Sequence, residues 1–158
     1  MTEDVRQSVL DSLRILDSDP EPFFDALTRA ACAMAGMPIA LISLVDGERQ
    51  WFKSQVGLDG TRQTPRDISF CTWAIDADGV FEIEDATRDP RFADNPLVVG
   101  APNVRHYVGV PIQAGAGSRV GTLCLLSPEP GRLRPNQREA LSGLAEAAAR
   151  GMEQRAML

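Results

Sequence analysis

Two uninterrupted apolar runs of strand length, residues 39–45 and 120–126, most constrain the fold of this chain. Because neither run alternates with polar residues, both predict strands that are covered on both faces, and residues 120–126 are expected to form a central strand. Asp46 and Gly47 follow the first run and precede an alternating segment, 49–56. This turn signal between two strand-like segments predicts a β-hairpin.

A second hairpin is predicted near the C-terminus. Residues 104–112 alternate apolar and polar side chains, and a glycine-rich turn at 114–118 leads into the apolar run 120–126. Hairpins join antiparallel strands, so the sheet is expected to be antiparallel.

Apolar residues at helical spacing occupy both ends of the chain. Residues 4–16 carry one apolar stripe, and a second helix is predicted to begin at Pro20, with Asp19 as its N-cap, and to end at Gly36. Pro135 is expected to open the longest helix, which runs to about residue 157. Helices at the ends of an antiparallel sheet indicate the α+β class.

The middle of the chain is irregular. Residues 57–68 predict a loop, residues 69–75 one or two helical turns capped by Ser69, and residues 80–83 a short strand. The polar segment that follows is expected to close at Pro96. No linker or repeat interrupts the sequence, so residues 1–158 are predicted to form a single domain.

Charge and hydropathy exclude several classes of protein. The chain has 16 basic and 22 acidic residues, which gives a formal net charge of −6. This acidic balance argues against binding to nucleic acid or to anionic lipid. No apolar run approaches the ~18 residues of a transmembrane helix, and the N-terminus is acidic where a signal peptide is basic. We therefore expect a cytoplasmic protein.

The sequence contains no pattern that demands metal or enzyme chemistry. Cys32, Cys71 and Cys124 are widely spaced, and His106 is the only histidine. This set predicts neither a disulfide framework nor a metal site. Because a Ser–His–Asp set and a phosphate-binding loop are also absent from the sequence, we expect a protein that is not an enzyme.

Six short motifs, in a fixed order, carry a resemblance to a known family. They read PIALISLVD, QWFKS, SFC, DATRDPRFADNP, YVGVPI and GTLC, at residues 38–46, 50–54, 69–71, 85–96, 107–112 and 121–124. Together they resemble a GAF domain, of a bacterial subgroup that is often attached to histidine kinases and diguanylate cyclases.

The resemblance implies a fold and a function. The implied fold is a central antiparallel sheet with the terminal helices on one face and a pocket on the other, formed by the irregular segments within 57–103. The implied function is non-catalytic sensing of a small molecule in signal transduction. Output would pass through the terminal helices, near 4–16 and 135–157, which would also form a homodimer. No output domain is recognised in this sequence, so either a separate signalling protein is the partner or the domain acts alone. The ligand and any cofactor stay open.

Eight residues are candidates for contact with the ligand: Phe70, Cys71, Trp73, Asp85, Arg91, Phe92, Arg105 and Tyr107. An alternative interpretation of the segment 85–96 is a loop whose polar side chains serve only its own backbone. Trp51 and Phe52 are adjacent in a strand, so only one of them faces the pocket, and their positions alone do not say which.

Two other functions stay open at this point. The apolar stripe of Leu141, Leu144, Ala148 and Met152 is also typical of a structural dimerisation module that binds no ligand. Alternatively, Cys71 at the start of a short helix is a candidate thiol for a redox sensor or an enzyme resembling methionine sulfoxide reductase. A small buried cysteine that only packs is the competing interpretation.

Overall fold

The chain folds around one six-stranded antiparallel sheet. The computed structural model describes residues 2–158. The strands are β1 (Ile39–Asp46), β2 (Arg49–Val56), β3 (Gln63–Pro65), β4 (Phe81–Ile83), β5 (His106–Ala114) and β6 (Ser118–Ser127). The helices are α1 (Glu3–Ser12), α2 (Pro22–Ala35), α3 (Cys71–Ala74), α4 (Pro96–Val99) and α5 (Pro135–Ala156), with single 3₁₀ turns at Arg66–Ile68 and Ala86–Arg88.

The strand order is β3-β2-β1-β6-β5-β4. The two central strands, β1 and β6, are the two continuous apolar runs of the sequence, so the predicted central position of β6 is confirmed. Both predicted hairpins, β1–β2 and β5–β6, are also confirmed. The β1–β2 register shifts between Ile42 and Ser43, where a bulge interrupts the regular pairing.

Helices α1, α2 and α5 cover one face of the sheet, as the resemblance implies. The buried layer between them and the sheet includes Leu10, Phe24, Ile42, Leu44, Trp51, Val108, Leu123, Leu125, Leu141, Ala148 and Met152. We call it the helix layer. The predicted α5 stripe therefore packs inside its own chain: Leu141, Ala148 and Met152 are fully buried there. The predicted α+β class and arrangement are confirmed.

The opposite face is covered by short elements. Helices α3 and α4, the two 3₁₀ turns and their connecting segments enclose a second apolar layer. It includes Leu41, Phe52, Phe70, Cys71, Ile83, Phe92, Val98, Val104, Tyr107, Cys124 and Leu126.

The N-terminal helices differ from the predicted bounds. Helix α1 ends at Ser12, not at residue 16, because Arg14 adopts a left-handed conformation with φ of 52°. Helix α2 begins at Pro22, not at Pro20. The predicted cap, Asp19, instead uses its carbonyl oxygen to accept a hydrogen bond from Lys53 Nζ at 2.6 Å. The predicted end at Gly36 is confirmed, with the left-handed φ of 66° that glycine favours.

Two predictions for the irregular middle were wrong. Residues Gln63–Pro65, predicted as part of a loop, form the edge strand β3 and pair with β2. Pro96 opens α4 instead of closing a segment, because the Asn95 side chain accepts a hydrogen bond from the Leu97 N–H at 2.8 Å and caps the turn. Along residues 2–158, no helix combines the length and apolar character needed to cross a membrane.

The only lysine of the sequence ties the terminal helices to the sheet. Lys53 in β2 is fully buried, and its Nζ donates to the Ser18 hydroxyl at 2.8 Å and to Glu21 Oε2 at 2.5 Å. The same Glu21 oxygen accepts a hydrogen bond from Arg155 Nε of α5 at 2.6 Å. One carboxylate therefore joins β2, the start of α2 and the end of α5.

Candidate functional site

A cavity of about 190 Å³ lies on the face of the sheet opposite α1, α2 and α5. Its floor is formed by strands β1, β2, β5 and β6, and its walls by the segments before β3 and around α3 and α4. The lining residues are Leu41, Gln50, Phe52, Leu58, Thr61, Thr64, Phe70, Cys71, Leu97, Ala101, Pro102, Tyr107, Cys124 and Leu126. We call this space the central cavity.

The structure decides between the two aromatic residues of β2. Phe52 lines the central cavity, whereas Trp51 belongs to the helix layer. Side chains alternate along a strand, so Gln50 shares the cavity face with Phe52. The choice between the faces could not be made from the sequence, because both side chains are large, apolar and buried.

One edge of the central cavity is polar. Gln50 Oε1 accepts a hydrogen bond from the Ser43 hydroxyl at 2.8 Å, and Gln50 Nε2 donates to Thr64 Oγ1 at 3.0 Å. A hydroxyl group that accepts one hydrogen bond can still donate its own proton, so Thr64 could donate to a ligand. The lining residues given above include no acidic or basic side chain, and most of the others are apolar.

A stack of aromatic rings closes one side of the cavity. The Phe70 ring lies 5.0 Å from the Tyr107 ring and 4.5 Å from the Phe92 ring, nearly parallel to the latter. Phe70 and Tyr107 line the cavity, whereas Phe92 lies behind Phe70 and is not among the lining residues. Such stacks add stabilisation beyond the area they bury, so this wall is expected to be rigid.

Gly109 leaves the room that the Tyr107 hydroxyl needs. A Cβ atom at residue 109 would lie 2.6 Å from the Tyr107 hydroxyl oxygen and 3.0 Å from the Ala74 Cβ. Any larger residue would therefore displace the tyrosine or helix α3.

Two cysteine sulfurs meet at the floor of the cavity. Cys71 Sγ lies 3.9 Å from Cys124 Sγ and 3.2 Å from the Tyr107 hydroxyl oxygen, and it accepts a hydrogen bond from Thr122 Oγ1 at 2.9 Å. Burial opposes ionisation of the Cys71 thiol, but the hydrogen bonds from its neighbours outweigh burial and lower the pKa of Cys71. Burial raises the pKa of the Cys124 thiol, so the two sulfurs differ in acidity.

The predicted residues Trp73 and Arg91 lie outside the central cavity. The Trp73 side chain is half exposed, and the Arg91 guanidinium lies 5.3 Å from the Trp73 ring centroid. Arg91 is also paired with the Asp89 carboxylate at 2.7 Å, which raises the pKa of Arg91 by hydrogen bonding. These side chains form a cation–π cluster at the surface.

Asp85 and Arg105 serve the backbone instead of the cavity. Asp85 accepts hydrogen bonds from the N–H and the hydroxyl of Thr87, at 3.1 and 2.6 Å. Arg105 donates to the carbonyl oxygens of Val98 and Val104, at 2.9 and 3.1 Å. Together with the cap made by Asn95, these contacts support the interpretation of the segment 85–96 as a loop whose polar groups serve its own backbone.

Of the eight candidate residues, the structure therefore brings Phe70, Cys71 and Tyr107 together at the central cavity. It adds residues that sequence reasoning missed, chiefly Gln50, Thr64 and Leu97. Gln50 follows from period-two spacing once Phe52 is known to face the cavity. Thr64 and Leu97 carried no usable signal, because β3 and α4 were not predicted.

A larger depression of about 870 Å³ lies at the sheet edge near β4, but it is an open groove. Its charged side chains are paired locally, for example Arg132 with Glu84 at 2.8 Å. Within residues 2–158, no three His, Cys, Asp or Glu side chains come together as a metal site would require.

Comparison with known proteins identifies the protein family to which this chain belongs. The family model described as "GAF domain" matches residues 19–152. A cyclic di-GMP phosphodiesterase of Pseudomonas aeruginosa is 47% identical over 128 residues, which cover 81% of this chain and 22% of that protein.

Solved structures share the fold at low sequence identity. The GAF domain of an Acinetobacter phosphoenolpyruvate-protein phosphotransferase superposes with a TM-score of 0.69 at 18% identity, covering 98% of this chain and 95% of that one. The type II free methionine-R-sulfoxide reductase of Thermoplasma acidophilum superposes with a TM-score of 0.66 at 12% identity, covering 96% and 94%.

Proposed function

Because the chain belongs to the GAF domain family of sensory signalling domains, we propose that it binds a small, neutral and largely apolar molecule in the central cavity. The observation that supports this proposal is the lining itself: a largely apolar cavity with one polar edge and no Asp, Glu, Lys, Arg or His side chain. The domain acts as a non-catalytic regulator, and the bound molecule is its signal.

Cavity size and chemistry narrow the class of ligand. Apolar cavities near 150 Å³ admit a molecule of about the size of benzene, whereas drug-sized ligands occupy about 300–1,000 Å³. A space of about 190 Å³ therefore suits a compact molecule of one or two rings. Gln50 and Thr64 would orient one polar group of that molecule, and the Phe52 and Phe70 side chains would provide apolar contact to its ring.

Binding reaches the helices through the central strands. Leu41 and Cys124 face the cavity, whereas their chain neighbours Ile42 and Leu125 are fully buried in the helix layer. A ligand that displaces β1 or β6 therefore changes the surface on which α2 and α5 pack. Protein interiors are too closely packed to absorb such a shift without moving their neighbours.

The signal passes from this domain to a partner enzyme or to a second copy of the domain. The chain spans about a fifth of the length of its curated relative, the cyclic di-GMP phosphodiesterase. We therefore propose that the domain regulates a catalytic unit of cyclic di-GMP turnover, in the same polypeptide or in a separate one. Homodimerisation through the exposed faces of α1 and α5 would carry the signal between subunits.

Indole is a suitable probe, because it is neutral, bicyclic and carries one polar N–H. We expect indole to raise the midpoint of thermal unfolding of the wild-type chain by mass action. In Leu97→Trp, whose new ring would fill the cavity, this shift should be lost. Val99→Trp is a matched control, because Val99 is on the same turn but is 68% exposed. If both variants respond to indole alike, the molecule binds elsewhere and the proposal fails.

A further inference from the structure

The floor of the central cavity holds two thiols that the proposed ligand binding does not use. Cys71 on α3 and Cys124 on β6 are far apart in sequence, yet their sulfur atoms lie 3.9 Å apart and both line the cavity. A disulfide bond has an S–S length of about 2.05 Å, so the sulfurs would approach by about 2 Å. Rotation of the Cys71 side chain, with a small shift of the single-turn helix α3, would have to supply that approach.

The surroundings of Cys71 favour a thiolate. Two hydroxyl groups, of Thr122 and Tyr107, lie at hydrogen-bond distance from its sulfur, at 2.9 and 3.2 Å. The Thr122 hydroxyl donates to this sulfur, and the Tyr107 hydroxyl can donate to it as well. A thiolate is a stronger acceptor than a neutral thiol, so both hydrogen bonds are strongest when Cys71 is ionised. The lowered pKa of Cys71 agrees with this geometry. Thiolates are the reactive form of cysteine toward peroxides.

We propose that Cys71 and Cys124 form a redox-active pair, which a hydroperoxide that enters the central cavity oxidises to an intrachain disulfide. This inference does not depend on the ligand proposed above, because it requires only that a molecule as small as hydrogen peroxide enters the cavity. Oxidation would also change the cavity wall, since both cysteines line it.

The reaction proceeds in two steps. The Cys71 sulfur attacks the distal oxygen of the hydroperoxide, so an S–O bond forms and the O–O bond breaks. The leaving oxygen takes up the proton lost by Cys71, and departs as water when the oxidant is hydrogen peroxide. Cys71 is now a sulfenic acid, oxidised by two electrons.

In the second step, the Cys124 sulfur attacks the Cys71 sulfur. The S–S bond forms, the S–O bond breaks, and the hydroxyl leaves as a second water with the proton of Cys124. Two thiols and one hydrogen peroxide thus give one disulfide and two waters. Thr122 and Tyr107 act as positioning residues that hold the Cys71 sulfur in its reactive form.

The positions of the tryptic cleavage sites allow the disulfide to be identified by peptide mapping. Trypsin separates the three cysteines into different peptides, residues 30–49, 67–88 and 120–132. The reduced full chain is exposed to hydrogen peroxide, its remaining thiols are alkylated in denaturant, and the digest is analysed by mass spectrometry. We expect the last two peptides to be linked, with Cys32 alkylated. Burial raises the pKa of Cys32, which makes it an internal control.

Single cysteine-to-serine variants show which thiol takes part in each step of the oxidation. Cys124→Ser should leave Cys71 carrying added oxygen with no disulfide, and Cys71→Ser should leave both remaining thiols reduced. Cys32→Ser should behave as the wild type. If either serine variant fails to fold, the wild-type peptide map still decides. Equal alkylation of all three cysteines, at a peroxide dose that fully oxidises N-acetylcysteine, overturns the proposal, and so does a disulfide that includes Cys32.

The pH dependence of the oxidation rate tests whether Tyr107 and Thr122 act as positioning residues. Tyr107→Phe and Thr122→Val each remove one hydroxyl donor and should raise the pKa of Cys71, which lowers the oxidation rate at pH 6 about tenfold. At pH 9 the thiolate forms without that help, so the rates should approach the wild-type value. A loss of rate that is equal at both pH values would indicate a merely structural role and contradict this assignment.

Discussion

Tyr107 and Val108 are neighbours in β5 but belong to opposite layers: the Tyr107 ring lines the central cavity, and the Val108 side chain is fully buried in the helix layer. The same division recurs at Leu125 and Leu126 of β6. A change at the cavity is therefore one residue away from a change under the terminal helices. This arrangement makes the sheet the connection between a ligand and the output of the domain.

The two leucines of β6 allow the faces to be compared directly. Leu125→Ala removes side-chain atoms from a closely packed layer and should cost about 3 kcal/mol of unfolding free energy. Leu126 borders an existing cavity, so Leu126→Ala removes fewer contacts and should lower the free energy of unfolding by about half as much. Urea denaturation measures both. An equal or larger cost for Leu126→Ala would show that the cavity is filled in the folded protein.

The buried lysine gives a second prediction. Glu21→Gln leaves Lys53 charged and buried without its carboxylate partner. This change should lower the free energy of unfolding by about 2–3 kcal/mol. Lys53→Met removes the buried charge and leaves Glu21 paired with Arg155, so its cost should be below about 1 kcal/mol. Chemical denaturation of both variants checks this order. A larger loss for Lys53→Met than for Glu21→Gln would refute the role given to the carboxylate.

Acid should destabilise the chain through its paired carboxylates. Hydrogen bonds from Arg6, opposed by partial burial and supported by Arg66, lower the pKa of Glu3 from 4.5 to about 2. A carboxylate with a lowered folded-state pKa stabilises above its unfolded-state pKa, and this contribution is lost as the pH falls from about 4.5 to about 2. In Glu3→Gln, the fall in stability over that range should be shallower. An unchanged pH profile of unfolding would show that the Glu3 pairs contribute nothing in solution.

The proposed homodimer can be tested on the exposed face of α5. A side chain at Gly143 would meet nothing within 4 Å, so Gly143→Glu should not disturb the monomer. If α5 forms the dimer, sedimentation should show that this variant dissociates at concentrations where the wild type is dimeric. Ala33→Glu, on an exposed position of α2, is the control and should sediment as the wild type. A dimer that survives in Gly143→Glu does not use this face.

Long elements with a strong period were predictable from the sequence. The apolar runs of β1 and β6 predict the centre of the sheet. The helical cover is predicted by the spacing of buried residues in α5, namely Leu141, Ala145, Ala148 and Met152. Both predictions hold because burial of these side chains decides the conformation of their segments. Short elements were not predictable. Strand β3 and helix α4 depend on tertiary pairing with β2 and on the Asn95 cap, which local periodicity does not encode.

The candidate site was predictable only in part. Phe70, Cys71 and Tyr107 were found because they lie in the SFC and YVGVPI motifs that carry the family resemblance. Arg91 and Asp85 were chosen for their charge, but their charge is used at the surface and in the loop itself. Polar groups in an irregular backbone often serve that backbone, and sequence alone cannot separate this role from ligand contact.

Amide hydrogen exchange, recorded with and without indole for the wild type and for Leu97→Trp, tests whether a ligand in the central cavity acts on the helices. We predict that indole slows exchange in α4 and in strands β1 and β6 of the wild type, and alters exchange in α5. None of these changes should occur in Leu97→Trp. Unchanged exchange in the cavity walls of the wild type, or an equal response of both proteins, would contradict ligand binding in the central cavity.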